Sequence, residues 1–153
     1  MKKVERDFYQ VSLKLILNND KGETLLMKAL NTGTYAGFYD FPGGRINVGE
    51  FEVPLPDIVR REVREEIGDV EYTLNPHPAA VARHLIPASI SGLKSDIRVV
   101  YLLYEGAYST GEVRMNHEHT GFRWLDLNKI DLEKYLTSGN LEGARMYVGR
   151  KKG

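Results

Sequence analysis

Cysteine is absent from this 153-residue chain. Its absence excludes disulfides, thiolate zinc sites and a cysteine nucleophile, and leaves the redox compartment open. Neither charge is in excess, since 21 Lys and Arg balance 21 Asp and Glu. A generic binder of nucleic acid or of an anionic membrane surface usually shows a basic excess, so neither partner is expected. No apolar run approaches the roughly 18 residues of a membrane helix. The N-terminus, Met1 to Asp7, turns polar and acidic where a signal peptide needs an apolar core, and a cytoplasmic protein is expected. Repeats and linkers are also missing, so residues 1–153 are expected to form a single mixed α/β domain.

What is present is an ordinary globular composition, 42% apolar and 27% charged. Val11, Leu13, Leu15 and Leu17 alternate with Ser12, Lys14 and Ile16, the period of a half-buried strand. Asn18 to Gly22 supplies turn residues, and Thr24 to Lys28 reads as the returning arm of a hairpin. The stretch Asn31 to Asp40 is a loop holding Tyr35, Phe38 and Tyr39, which could anchor it to the core or offer a platform for a base or sugar. Pro54 and Pro56 delay a helix until Pro56, and Val59, Val63 and Ile67 then give it an apolar stripe that ends at Gly68. Val70 to Leu74 and Ala79 to Ile86 read as strands. Ile97 to Tyr104 reads as a central strand buried on both faces. Ser109 to Thr120 is expected to be a polar loop, Phe122 to Leu125 a strand, and Leu132 to Val148 one helix or two. Arg83 and Arg98 read as structural, salt-bridged arginines on strands, and His117 and His119 as polar loop residues.

The helix after Pro56 carries the chemistry. At about 100° per residue, Glu62, Glu65 and Glu66 fall on one edge of it, beside the apolar stripe. Along the helix only Glu65 has a cation within reach, Arg61, so Glu62 and Glu66 read as unneutralised. Glu65 and Glu66 also lie in the last turn, at the negative end of the helix dipole, where a sequence optimised for stability places Lys or Arg. Two readings stay open at this point. One is a solvated charge run. The other is a site for a hard divalent cation held by oxygen ligands, Mg²⁺ or Mn²⁺.

Gly44, Glu50, Arg61, Glu62, Val63, Glu65, Glu66 and Gly68 together resemble the Nudix box, G-x5-E-x7-R-E-U-x-E-E-x-G-U, where U is a bulky aliphatic residue. Two features depart from that pattern. Ten residues separate Glu50 from Arg61 where the family has seven, and Asp69 stands where an aliphatic residue is usual. The extra residues fall within Phe51 to Leu55, and a loop insertion of this size costs little free energy. It puts in question whether Glu50 still reaches the helix.

The resemblance implies an α/β/α sandwich with a mixed central sheet, and hydrolysis of a nucleoside diphosphate linked to another group. It implies that Glu62, Glu65 and Glu66 hold Mg²⁺ (or Mn²⁺), with the Gly44 carbonyl contributing. Arg61 would orient a carboxylate, and Glu50 would belong to the same catalytic group. The general base would be Glu62, or Glu118 on the later loop. Dinucleoside polyphosphates, ADP-ribose, nucleotide sugars and oxidised nucleoside triphosphates are all open as the small-molecule substrate. Room in the loops Asn31 to Asp40 and Pro87 to Asp96 points to a nucleotide sugar, ADP-ribose or a similar diphosphate. Many members of that family are homodimers. A catalytically weak nucleotide-binding or sensing domain is the alternative, since the longer linker could have displaced Glu50. An isoprenoid diphosphate isomerase of the same fold is disfavoured by the absence of cysteine.

Overall fold

The computed structural model describes residues 1–150. In chain order the elements are β1 (Gln10–Asn18), β2 (Thr24–Ala29), β3 (Tyr39–Asp40), β4 (Gly43–Arg45), α1 (Leu55–Ile67), β5 (Glu71–Leu74), β6 (Ala80–Ile86), α2 (Ala88–Ser91), β7 (Ile97–Thr110), β8 (His119–Leu125), α3 (Leu132–Tyr135) and α4 (Ser138–Arg150). Among the described residues the strands form one mixed sheet in the order β3-β2-β1-β7-β5, with β4 on β1, β6 on β7 and β8 on β2. Helix α1 covers one face and α4 the other, which makes an α/β/α sandwich. No helix among the described residues is long and apolar enough to cross a membrane.

Strand β1 is the hinge of the arrangement. It runs parallel to β7 over its whole length, yet it pairs with β2 only at Asn18↔Thr24. The expected hairpin is therefore a turn and little more. After that one pair β2 leaves β1 and pairs with β8 from Thr24↔Leu125 onward.

Strand β1 is also buried on both faces, not one. Leu13, Leu15 and Leu17 pack with Ile58, Val59, Val63 and Ile67 of α1, while Ile16 packs with Tyr101, Leu103, Ala144 and Tyr147 on the α4 side. Ser12 and Lys14 lie on that second face and are buried as well. Alternation of polar and apolar residues suggested solvent there. The C-terminal helix and the loop before β3 supply a cover that the local pattern could not announce.

Strand β7 is central, as its apolar run implies, but it continues six residues past Tyr104 to Thr110 and shortens the expected polar loop. Helix α1 begins at Leu55, one residue before Pro56, with Pro54 as the cap. The first helical amides have no partner within the helix, so a proline at the cap or second position forfeits no bond. Asp57 stands in the first turn, and Gly68 ends the helix at φ 84°.

Candidate active site

The site begins where β4 lies against β1, with Leu13 opposite Gly44 and Lys14 opposite Gly43. Gly43 has φ 141°, and a Cβ there would overlap the Leu13 carbonyl oxygen. Only glycine lets the two strands come this close. The Gly43 amide, thus presented to α1, donates to Glu66 Oε2 at 3.0 Å. One residue on, a Cβ at Gly44 would overlap the Glu62 carboxylate. The glycine turn is therefore the cradle of the two helical glutamates.

Glu50 reaches the helix in spite of the longer linker. Arg61 donates from Nε to Glu50 Oε2 at 2.9 Å and from an Nη to Glu50 Oε1 at 2.8 Å, a two-pronged grip. The extra residues loop outward, leaving Phe51 exposed, while Glu50 closes a turn by accepting from the Asn47 amide at 2.7 Å. That amide first, and Arg61 as well, hold the Glu50 carboxyl below the usual carboxylate range. What Glu50 meets is Arg61, and through it Glu62.

The same guanidinium lies 2.9 Å from Glu62 and 3.2 Å from Glu65. The expectation of an unneutralised Glu62 is thereby corrected: the adjacent Arg61, tethered by Glu50, folds back onto it, a contact that three- and four-residue helical spacing does not anticipate. Asp69 is paired too, with Arg64 at 3.0 Å on the surface.

Burial ranks the three helical carboxylates. Glu65 is exposed, Glu62 is largely shielded, and Glu66 is only 7% exposed. Desolvation pushes the Glu66 carboxyl up to about 7, against the pull of Lys14 and the Gly43 amide and with the added push of Asp40. Glu62 is raised for the same first reason, although Arg61 opposes it. Each would become fully ionised on gaining a further cation.

Glu118 is exposed on the turn before β8, where it hydrogen-bonds with Asn116. It is not brought against Glu62 or Glu66, but its loop is fastened to their helix. The amides of Arg114 and Asn116 donate to the carbonyls of Ile67 and Glu66, at 2.9 and 3.1 Å. This contact satisfies the open C-terminal end of α1.

Four polar residues to which the sequence reading gave no part in the site complete the surroundings, and His119, expected on a polar loop, instead opens β8 with its side chain buried. Lys14 donates to Asp40 Oδ1 at 3.0 Å, and Asn140 at the start of α4 donates to the same oxygen at 2.8 Å. His119 stands 3.8 Å from the other Asp40 oxygen. Burial alone would raise the Asp40 carboxyl, but Lys14, His119 and Asn140 bring it well below the usual range. Burial alone would likewise lower Lys14, and Asp40 and Glu66 reverse the direction. His119 Nδ1 and Asn140 Oδ1 are buried without partners. No local signal marks these residues. A lysine within an alternating strand looks solvent-facing until the second layer is in place.

Arg98 forms a surface pair with Asp7, in keeping with a structural role, while Arg83 is exposed and forms no ion pair among the described residues. Beside Gly44 a cavity of about 190 Å³ runs over β1 and is lined by Ser12, Lys14, Tyr35, His84 and Tyr101. A larger cleft of about 560 Å³ lies elsewhere, between the back of α1 and β5.

A divalent cation suits the donor set on chemical grounds. The candidate ligands are oxygens, two of them on carboxyls whose burial disfavours charge without a cation. No group of three or more His, Asp or Glu side chains among the described residues converges on one point. Mg²⁺ commonly takes one or two carboxylates and completes its shell with water and substrate phosphate.

A NUDIX domain model matches residues 8–145, and the chain belongs to that family. It is a Nudix-type hydrolase of pyrophosphate bonds. Over 121 residues it is 28% identical to the nucleoside triphosphatase NudI of Escherichia fergusonii, covering 76% of this chain and 84% of that one. The MutT protein of Methanosarcina mazei Go1 superposes with a TM-score of 0.73 at 25% identity, over 95% of this chain and 96% of that one. The Escherichia coli dihydroneopterin triphosphate pyrophosphohydrolase shares the fold at 16% identity, with a TM-score of 0.67 over 94% and 99% of the two chains.

Proposed function

We propose that residues 1–153 act as one domain that hydrolyses the anhydride of a nucleoside diphosphate derivative with Mg²⁺, or Mn²⁺ in its place. The observation that carries this reading is the seating of Glu62 over Gly44 and of Glu66 beneath the Gly43 amide. Glu62 and Glu66, with Glu65 and the Gly44 carbonyl, would hold the cation, which supplies charge neutralisation on the diphosphate and a more acidic water. Arg61 keeps the Glu62 carboxylate in place, and Glu50 keeps Arg61 in place. A carboxylate, Glu62 or Glu118, takes the proton as the water oxygen bonds to phosphorus and the bridging P–O bond breaks. Similarity to a nucleoside triphosphatase favours a nucleoside triphosphate as the derivative. A nucleotide sugar or ADP-ribose, the substrates suggested by the roomy loops, would be cut by the same step.

The test is a turnover screen of metal-free protein with Mg²⁺ or Mn²⁺ restored, reading pyrophosphate, phosphate, nucleoside monophosphate and sugar phosphate separately. Wild-type turnover that Glu66→Gln abolishes is expected, and full activity in Glu66→Gln would overturn the reading. A second reading, a nucleotide-binding domain without turnover, draws on the lack of three convergent carboxylates. It requires nucleotide-induced stabilisation with no product at any metal concentration.

A further inference from the structure

Lys14 has no part in the proposed hydrolysis, yet it is a buried cation in the lining of the cavity that adjoins Gly44. Removing an ammonium from water is costly, and a buried ion pair is weak evidence for stability. Its three N–H donors are incompletely used. One meets Asp40 Oδ1 at 3.0 Å and a second meets the Phe41 carbonyl at a long 3.5 Å, while no third oxygen accepts from the ammonium, which lies over the Tyr101 ring at 5.4 Å from its centroid. The charge is already balanced by Asp40, so the cavity calls for a neutral acceptor and not an anion.

The remaining walls are consistent with that. The Tyr35 and Tyr101 hydroxyls lie 2.9 Å apart, and whichever donates, the other keeps a hydrogen to offer. Burial pushes both phenols up, so they remain protonated donors. His84 spends both ring nitrogens, on Ser138 Oγ at 2.8 Å and Thr34 Oγ1 at 3.0 Å, and contributes a ring stacked on Tyr35 at 4.8 Å. The cavity therefore presents flat aromatic walls and spare donors. Its volume of about 190 Å³ is below the 300–1,000 Å³ typical of sites for drug-sized ligands, so it fits one ring system and not a whole nucleotide.

We propose that Lys14, backed by the Tyr35–Tyr101 pair, selects a nucleobase with a carbonyl at pyrimidine position 4 or purine position 6 over its counterpart with an amino group there. The inference rests on the nucleotide reading of the neighbouring carboxylates. Uracil against cytosine and hypoxanthine against adenine are the tests, because each pair exchanges one carbonyl for one amino group at the same ring position, and the neighbouring ring nitrogen changes from a donor to an acceptor with it. An amino group aimed at Lys14 would place donor against donor and leave a buried donor unpaired, a penalty worth about tenfold or more.

The decisive measurement has two arms. In the first, metal-free wild-type protein is titrated with UMP and with CMP, and with IMP and AMP. In the second, kcat/KM is compared for UTP against CTP and for UDP-glucose against CDP-glucose in Mg²⁺. Preference for the carbonyl base by about tenfold or more is expected in both arms, falling toward parity in Lys14→Met/Asp40→Asn, which keeps the cavity neutral. Should that variant melt out, Tyr35→Phe/Tyr101→Phe is the substitute and should likewise shrink the preference. Turnover or binding of both bases with equal constants, or a preference that survives the folded variants, overturns the inference and leaves the hydrolase reading standing. Wild-type protein that binds no nucleotide and cleaves none overturns both.

Discussion

The Glu62 carboxylate occupies the space that a side chain on residue 44 would fill, so Gly44 is a glycine because Glu62 is there. The clash is with the functional end of the glutamate, which has to turn away if anything larger is introduced. Gly44→Ala is therefore expected to lower kcat/KM by about a hundredfold, as for reacting groups misplaced by an ångström, while the fold persists. Turnover assays beside thermal unfolding check it, and unchanged kcat/KM would show that the seating of Glu62 is irrelevant to the reaction.

Arg61 grips Glu50 with two nitrogens, and the pair is only partly shielded from water, with side chains 30% and 15% exposed. A double-mutant cycle with Arg61→Lys and Glu50→Gln is expected to show a small favourable coupling in stability, as for pairs open to solvent. In turnover, Arg61→Lys should cost more than Glu50→Gln, because lysine cannot reproduce the fork that serves Glu50, Glu62 and Glu65 together. Zero coupling would mean that Glu50 does not steady the helix.

Glu66 lies in a position that suits a cation and penalises the empty protein. Its carboxyl is raised from 4.5 to about 7 by burial. The native state therefore binds its proton more tightly than the unfolded chain does. The stability this supplies is complete below about pH 4.5 and is lost as pH rises through 7. Glu66→Gln stays neutral, so the metal-free variant should be more stable than wild type above pH 7, by up to about 3 kcal/mol, with the two converging in acid. Mg²⁺ should stabilise wild type and not the variant. Denaturation across pH, with chelator and with Mg²⁺, tests both statements.

His84 acts in the opposite direction. Burial first, then the charge of Lys14, lower it from 6.5 to about 4, although Asp40 resists. The unfolded chain takes up this proton first, so the neutral buried ring costs stability as pH falls from about 6.5 to 4, by up to about 3 kcal/mol. Subtracting the pH profile of His84→Gln from that of wild type isolates the effect from Glu66, whose sign is reversed. A flat difference over that window would refute it.

Between the two candidate bases, the structure separates a shielded carboxyl clamped by Arg61 from an exposed one on a turn. Glu62→Gln is expected to lower kcat by two orders of magnitude or more, in the range of lost general bases, and Glu118→Gln by less. The reverse ranking, with nucleotide binding retained in both, would move the base to the loop.

The glutamate helix was legible in the sequence because its signals are local. Apolar spacing, two prolines ahead of it and Gly68 after it are settled within one element, and they announce α1 to within a residue of Leu55–Ile67. The family pattern is local as well, since a loop and the helix beside it carry most of its residues. By itself, then, the chain determined its family, its layered mixture of strands and helices, and the run of carboxylates from Glu62 to Glu66. Distances across elements were decided only by the tertiary structure. Glu50 meets Arg61 because the inserted residues bulge into solvent, a property of three-dimensional loop closure that a count of spacing cannot contain. Lys14, Asp40 and Asn140 come together from β1, β3 and α4, up to 126 positions apart in sequence, because a second covering layer turns the polar side of β1 inward. Burial of that polar face is a sum over contacts distant in sequence, and no local period encodes it.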